Sequence, residues 1–317
     1  MKKIRTAVIG TGYLGKYHVE KFATLPRSEL IAICDINLQH THALSEKYHV
    51  SATDDYRSLL GKVDAVSIVS STPTHFEIGH FFLTHGVHVF IEKPITTTPD
   101  QSEKLIAIAK KNKLTLQVGH VERFNTAFRF AKPHIINPRF IEAQRVTSFQ
   151  LRGSDVSVIL DLMIHDIDLV LSTIQSPITD IRATGASVLT SFIDIANARI
   201  EFESGCAASI TASRIHSNSE RKLRIFQDDR YINIDLQRNA CRTHKKGKIE
   251  IFPGIPNLES EERQFNKGDA LQEEIADFLQ AIATKTKPLV SGEDAHQALT
   301  VATTITELVM SKNKQYV

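Results

Sequence analysis

Between residues 4 and 120, five short and nearly uninterrupted apolar runs alternate with four segments of helical spacing. The runs occupy 4–10 (IRTAVIG), 29–35 (ELIAICD), 63–71 (VDAVSIVSS), 87–93 (VHVFIEK) and 114–120 (LTLQVGH). The intervening segments are 13–25, 37–48, 75–86 and 98–112. In the first of them Leu14, Tyr17, Phe22 and Leu25 fall on roughly one side. Gly86 closes the third, and Pro99 stands near the first turn of the fourth. A strand that is apolar on both faces needs cover on both faces. Alternation with helices supplies that cover and makes the crossovers a parallel sheet requires. This region is therefore expected to be an α/β, doubly wound parallel sheet.

After about residue 120 the rhythm changes. Segments 139–153, 178–190, 197–205, 206–215, 221–236 and 248–254 alternate polar and apolar residues, as half-buried strands do. Helical segments are read at 156–175, 270–285 and 291–311, the last opened by a capping-box-like Ser291 and Asp294. The expected division is a first domain over 1–120 and a second, α+β domain over 121–317 with a mostly antiparallel open sheet.

The composition excludes several function classes. With 42% hydrophobic and 23% charged residues the chain reads as globular, and a net charge of +2 gives no push toward nucleic acid. No apolar run is long enough to span a bilayer, and the MKKIRTAVIG start lacks the apolar core of a signal peptide. Cys34, Cys206 and Cys241 are scattered, odd in number and without a CxxC, so a reducing cytoplasm is the expected compartment.

The first run leads into VIGTGYLG, which spaces Gly10, Gly12 and Gly15 as G-x-G-x-x-G between a strand and a helix. In that context Gly10 permits a tight turn and Gly12 lets backbone approach a pyrophosphate. Gly15 lets helix and strand pack closely, and the helix start offers N–H groups and a partial positive charge. Thr11, Tyr13 and Leu14 lie within the same loop. Asp35 ends the second run, 20 residues after Gly15. A carboxylate there suits ribose hydroxyls and repels a 2′-phosphate, so the expected cofactor is NAD in preference to NADP.

Each apolar run of the first region ends in a polar or glycine-rich point: Gly10, Asp35, Ser70-Ser71, Glu92-Lys93 and Gly119-His120. In a parallel sheet these ends share one edge, where doubly wound folds bind ligands. Lys93 then points an amine at the ligand crevice; its alternatives are an ion pair with Glu92 or a solvent-facing end. In ILDLMIHDIDL, Asp161 and His165 are four apart, and Asp168 follows at seven. On an α-helix they form one stripe, with neighbouring Cβ atoms about 5–6 Å apart. A carboxylate beside an imidazole orients it and raises its proton affinity. Satisfied structural groups are the alternative. No further ligand nearby suggests a metal.

Taken together, the glycine loop, the strand-end acid, the E-K-P of Glu92-Lys93-Pro94 and the D-x-x-x-H of Asp161 and His165 resemble the Gfo/Idh/MocA (glucose–fructose oxidoreductase/inositol dehydrogenase) family. The resemblance runs the whole length, including LVSGEDAHQALTVATTI at 289–305. It implies a Rossmann domain, a second domain whose open sheet forms a homodimer or homotetramer, and hydride transfer between a sugar or cyclitol carbinol and nicotinamide. It implies Lys93 near the reacting hydroxyl, with Asp161 and His165 as the pair that accepts its proton. Gly10, Thr11, Gly12, Tyr13, Leu14, Gly15, Asp35, Ser70, His75, Glu92 and Lys93 are the implied cofactor contacts. IVSSTPTH departs from the usual V-x-T-P-x-x-x-H, with Ser71 where proline is expected and Pro73 displaced. SDVSVILDLMIHDIDLVL, with VGHVERFN at 118–125, resembles the subgroup that oxidises the 3-hydroxyl of UDP-N-acetylglucosamine. Arg123 is the expected sugar or phosphate contact, since guanidinium suits that recognition. The rival readings are a dehydrogenase of a free sugar or cyclitol and, from another class, a non-catalytic NAD-sensing regulator.

Overall fold

The computed structural model describes residues 3–313 apart from Arg152 and Lys267. Two compact units emerge, one from residues 1–121 and 269–299 and the other from 122–268 and 300–317.

The first unit follows the expected alternation: β1 (Ile4–Ile9), α1 (Gly15–Thr24), β2 (Ser28–Cys34), α2 (Leu38–Tyr48), β3 (Ser51–Thr53), β4 (Ala65–Ile68), α3 (Thr72–Thr84), β5 (His88–Glu92), α4 (Pro99–Asn112) and β6 (Leu116–Gly119). The six strands are parallel in the order β3-β2-β1-β4-β5-β6. The order reverses at β1, so the gap between β1 and β4 is the switch point of a doubly wound fold. Strand β3 was not among the expected runs, because three residues, SAT, carry no pattern of burial. Helix starts obey local chemistry. The Asn37 side chain accepts from the Gln39 N–H, and that of Thr98 from the Gln101 N–H, with Pro99 at the first turn. Every residue of β4 is buried. Phe22 of α1 and Phe90 of β5 are fully buried and share a cluster with Val8, Val19 and Ile33. Burying each such ring is worth about 2 kcal/mol.

The second unit holds α5 (Thr126–Ala131), β7 (Phe140–Val146), a π-helical turn (Ile159–Met163) and α6 (Ile164–Thr173). Seven strands follow: β8 (Ile178–Ala186), β9 (Ile195–Phe202), β10 (Ala207–Ser213), β11 (Glu220–Phe226), β12 (Arg230–Asp235), β13 (Ala240–Phe252) and β14 (Ile255–Gln264). The sheet order is β14-β13-β12-β11-β7-β10-β9-β8. Only the β7–β10 pairing is parallel. Alternation buries one face, as in β9, where Ala196, Ala198, Ile200 and Phe202 are buried and the residues between them are not. The 221–236 segment is not one strand but the β11–β12 hairpin, turned at Gln227–Asp229, where charge breaks the alternation.

The chain then forms α7 (Ala270–Thr284) and α8 (Gly292–Asn313). Residues Ile275, Phe278 and Leu279 of α7 belong to the core cluster of the first unit. The expected capping box is present and reciprocal: Ser291 Oγ donates to Asp294 Oδ2 at 2.6 Å, and the Asp294 N–H faces Ser291 Oγ at 3.4 Å.

Candidate active site

The glycine loop sits at the carboxyl end of β1. Gly10 has a φ of +92°, and a Cβ there would meet the main chain of Val69 and Ser70 at 2.6 Å. A Cβ on Gly15 would meet Gly10 O at 2.0 Å, so the start of α1 closes directly onto the turn. Beside Gly12 there is open space within 4 Å, which lets a ligand approach the backbone. No side chain caps α1; its first turn is closed by main chain instead, the Lys16 N–H donating to Gly12 O at 3.2 Å and the Tyr17 and His18 N–H groups to Leu14 O at 3.0 and 3.3 Å. These features fit a dinucleotide. Tyr13 is exposed and Leu14 half-buried on the same loop. Lys16 lies over the Tyr13 and Tyr17 rings at 5.0 and 5.1 Å.

Asp35 follows β2, half-buried. Its Oδ2 accepts from the Thr11 N–H at 2.7 Å and the Thr11 hydroxyl at 3.0 Å, and its Oδ1 accepts from the Asn37 N–H at 2.9 Å. The carboxylate is thus held against the glycine loop, which joins the two halves of the expected nucleotide site.

At the end of β5 the E-K-P segment divides its labour. Lys93 is half-buried. The Glu92 carboxylate, an expected cofactor contact, turns into the domain: Oε1 accepts from His18 Nε2 at 3.1 Å and Oε2 from the Lys93 N–H at 3.2 Å. His18 Nδ1 lies 3.0 Å from Ser67 Oγ. Burial opposes ionisation of Glu92, but the His18 hydrogen bond and the charges of His18 and Lys93 outweigh it and hold its pKa below the ordinary range. A hydrogen-bonded serine in a fully buried strand is the signal that could have exposed this chain.

The loop after β4 is also rearranged by its unusual sequence. Ser71 is the N-cap of α3 and Pro73 lies in its first turn, so the displaced proline starts the helix. Ser70 Oγ pairs with Thr74 Oγ1 at 2.7 Å. His75, an expected cofactor contact, is 1% exposed. Its Nδ1 lies 3.0 Å from Pro94 O and its Nε2 3.0 Å from Ser70 O. A neutral ring donates to one of these carbonyls and a charged ring to both. Burial holds the His75 pKa below its usual value.

Asp161 and His165 belong to the second unit. Asp161 lies in the π-helical turn and His165 in the first turn of α6, so the pair does not share a regular α-helical i,i+4 stripe. Both are half-buried. Asp161 packs on Gly153, whose φ is +76° and where a Cβ would come within 2.9 Å of Asp161 Oδ2. Asp168, expected on the same stripe, is fully buried and pairs with Arg123. Arg123, the expected substrate contact, is buried, with Nε and Nη2 donating to the two Asp168 oxygens at 2.6 and 2.8 Å. The reason is physical: a carboxylate buried on an apolar helix requires a counter-charge.

Sequence reasoning missed a second clamp on the same helix. Arg145 of β7 donates from Nε and Nη2 to Asp166 at 2.9 Å each, and from Nη1 to Glu122 at 2.7 Å. Burial works against the Arg145 charge, but the two carboxylates outweigh it and raise its pKa. It missed as well Arg214, which donates to the carbonyls of Gly153, Val156 and Ile193 and pairs with Asp194. The stretch leading into the π-helical turn is held by that arginine. Among the described residues no group of three or more His, Cys, Asp or Glu is arranged to hold a metal ion.

Comparison with known proteins accords with this geometry. Residues 4–120 match the model described as oxidoreductase family, NAD-binding Rossmann fold, and residues 116–232 match the GFO/IDH/MocA C-terminal domain. The chain is 36% identical to UDP-N-acetylglucosamine 3-dehydrogenase of Acidithiobacillus ferrooxidans, over 95% of this chain and 96% of that protein. The crystal structure of that enzyme, GnnA, superposes with a TM-score of 0.91 at 34% identity, covering 98% of this chain and 99% of the other. The scyllo-inositol 2-dehydrogenase (NAD(+)) of Bacillus subtilis is 25% identical over 92% of this chain and 90% of its own length. With its glycine loop, E-K-P and D-x-x-x-H segments in place and both family models matched in order, the chain belongs to the Gfo/Idh/MocA family of oxidoreductases.

Proposed function

We propose that the protein oxidises the 3-hydroxyl of UDP-N-acetylglucosamine, or a closely related nucleotide sugar, with NAD as the hydride acceptor. The observation that carries this reading is 36% identity to a UDP-N-acetylglucosamine 3-dehydrogenase over 95% of the chain. When bound, the nicotinamide supplies the acceptor for the carbinol hydride. The work of this chain is to hold the sugar, move the hydroxyl proton and stabilise charge on the oxygen. His165 takes the proton, Asp161 supports the imidazolium, and Lys93 donates a hydrogen bond to the oxygen as charge develops on it. Gly10, Gly12 and Gly15 leave room for the pyrophosphate, and Asp35 takes ribose hydroxyls. The preference for NAD rests on the Asp35 carboxylate, which Thr11 and Asn37 hold in place and which would repel a 2′-phosphate.

The test is reduction of NAD and, separately, NADP with UDP-N-acetylglucosamine, UDP-glucose, glucose and myo-inositol, each with a ketone trap present. Reduction of NAD with UDP-N-acetylglucosamine alone is the expected outcome. Turnover of myo-inositol or glucose would move the reading to a cyclitol or free-sugar dehydrogenase. NAD binding with no reduction by any of them would favour the sensor.

The working form is proposed to be a homo-oligomer in the cytoplasm. Beyond Lys245, β13 pairs with β14 alone, and this ribbon exposes Ile249, Ile251, Phe252, Ile255 and Leu258, each more than half accessible. A two-stranded apolar ribbon gains stability when another surface covers it. Light scattering should give a mass of at least twice 35.5 kDa, and a monomer at working concentration would refute it. Cys34, Cys206 and Cys241 are all free, buried thiols, as a reducing compartment allows.

A further inference from the structure

Two buried histidines meet the E-K-P segment from inside the first unit. His18 is fully buried and edge-on to Phe90, with ring centroids 5.5 Å apart. A carboxylate only accepts, so the His18 Nε2 that faces Glu92 carries the hydrogen. In a neutral ring Nδ1 then accepts from the hydroxyl of Ser67, itself fully buried in β4. Glu92 passes this order on: its second oxygen accepts from the Lys93 main-chain N–H at 3.2 Å. The carboxyl group lies against Gly119 of β6, with Oε1 2.5 Å from where a Cβ would stand, so a residue other than glycine there would displace it. On the far side of the lysine, His75 faces the carbonyl of Pro94 at 3.0 Å.

We propose that His18 is a positioning residue for Lys93: the chain Ser67–His18–Glu92 fixes the lysine's main chain from within the domain, and His75 fixes the next residue through its carbonyl. The inference rests on the reading of Lys93 as a group that meets substrate. A strand end facing a ligand crevice has no further strand residues beyond it to hold it in place. Four polar groups from β4, α1, β5 and α3 do that work here. Misplacing a reacting group by an ångström costs on the order of 100-fold in rate, so a buried anchor is worth its desolvation.

The test compares His18→Leu, His18→Gln, Glu92→Gln and Lys93→Met in the full-length protein, measuring kcat, KM for the sugar nucleotide and the dissociation constant for NAD. In His18→Gln an amide nitrogen near the lost Nε2 can still donate to Glu92, whereas His18→Leu leaves no donor there. In Glu92→Gln a single amide oxygen replaces the two carboxylate oxygens, so the side chain cannot accept from both N–H groups at once. The expected result is a fall in kcat of about 10- to 100-fold in His18→Leu and Glu92→Gln, with NAD affinity changed by less than about 3-fold and most of kcat recovered in His18→Gln. Wild-type kcat in His18→Leu and Glu92→Gln beside an inactive Lys93→Met would overturn the inference and leave the role of Lys93 standing. Turnover in Lys93→Met would instead remove the reading on which it rests. If both His18→Leu and Glu92→Gln lose NAD binding along with turnover, the chain is a folding element and the inference is overturned as well.

Discussion

The two units bury charge in opposite ways. The first caps α2 and α4 with the side chains of Asn37 and Thr98, satisfies its interior with hydrogen bonds such as Ser67–His18–Glu92 and Thr6–Ser28, and buries no lysine or arginine among the described residues. The second buries three arginines, Arg123, Arg145 and Arg214, each on a carboxylate. A doubly wound sheet repeats one solution, strand to helix to strand, so its main-chain groups find partners nearby. The second unit has an irregular stretch before a π-helical turn, and distant residues must hold it. Arg123 and Arg145 clamp α6 at Asp168 and Asp166, close to the first turn that carries His165, and Arg214 holds the carbonyls of the approach. Regular architecture carries the cofactor end of the chemistry, and charged pins carry the proposed proton-accepting end.

The largest expected effect sharpens this comparison by striking one group in each unit. On the proposed mechanism Lys93→Met and His165→Ala should each lower kcat by about 10³-fold, since each would remove a proton-transfer or oxyanion partner. NAD affinity should change by less than about 3-fold in both, read by fluorescence titration. Equal loss of NAD affinity in His165→Ala would break the division of labour.

Next in size is Arg145→Met. Asp166 would be left buried without the guanidinium that pairs with it, and Glu122 with only Arg221 at 3.5 Å, which should cost about 3–5 kcal/mol in denaturant unfolding. A matched triple change to apolar residues of similar volume should recover most of that loss. If the single variant unfolds as the wild type does, the pins are not what holds α6.

A smaller effect is expected at Asp194. Burial opposes its charge, but the main-chain N–H groups of Thr190, Leu189 and Val188 and the Thr190 hydroxyl lower its pKa from 3.8 to about 2. A depressed acid stabilises the fold above its unfolded pKa and loses that contribution as pH falls through the folded one. Roughly 2 kcal/mol should therefore vanish between about pH 4 and pH 2, and Asp194→Asn should flatten this acid limb. An unchanged limb in the variant would assign acid lability to other groups.

The smallest expected effect lies in the regular unit. Asp35→Ser removes a carboxylate but no fold, and should narrow the preference for NAD over NADP by about 10-fold in kcat/KM. An unaltered ratio would mean that the discrimination arises elsewhere.

How much of this was legible in the sequence follows the same divide. Periodicity and glycine spacing gave the order of strands and helices up to residue 120, because each signal acts within a few residues. Strand β3 escaped because three residues cannot show a period. In the second half β14 escaped because its IPNLESEERQ sequence is mostly polar and charged and lies in an exposed ribbon. The E-K-P and D-x-x-x-H residues were visible as motifs, but their partners were not: Glu92 meets a histidine 74 residues away, and Arg145 meets Asp166 across 21. Such pairings are set by topology and leave no local trace. The partner of Arg123 stayed hidden for that reason, since its neighbours in sequence say nothing of Asp168, 45 residues on.

The account turns on which atom leaves the sugar. The most direct measurement supplies UDP-N-acetylglucosamine deuterated at carbon 3, with NAD and a ketone trap, and follows the nicotinamide by mass spectrometry. Deuterium in the reduced nicotinamide, slower turnover than with the protiated sugar and loss of both in Lys93→Met are the predicted results. Reduced nicotinamide without deuterium would contradict the proposed site of oxidation, and no reduction by a protein that binds NAD would contradict the enzymatic reading itself.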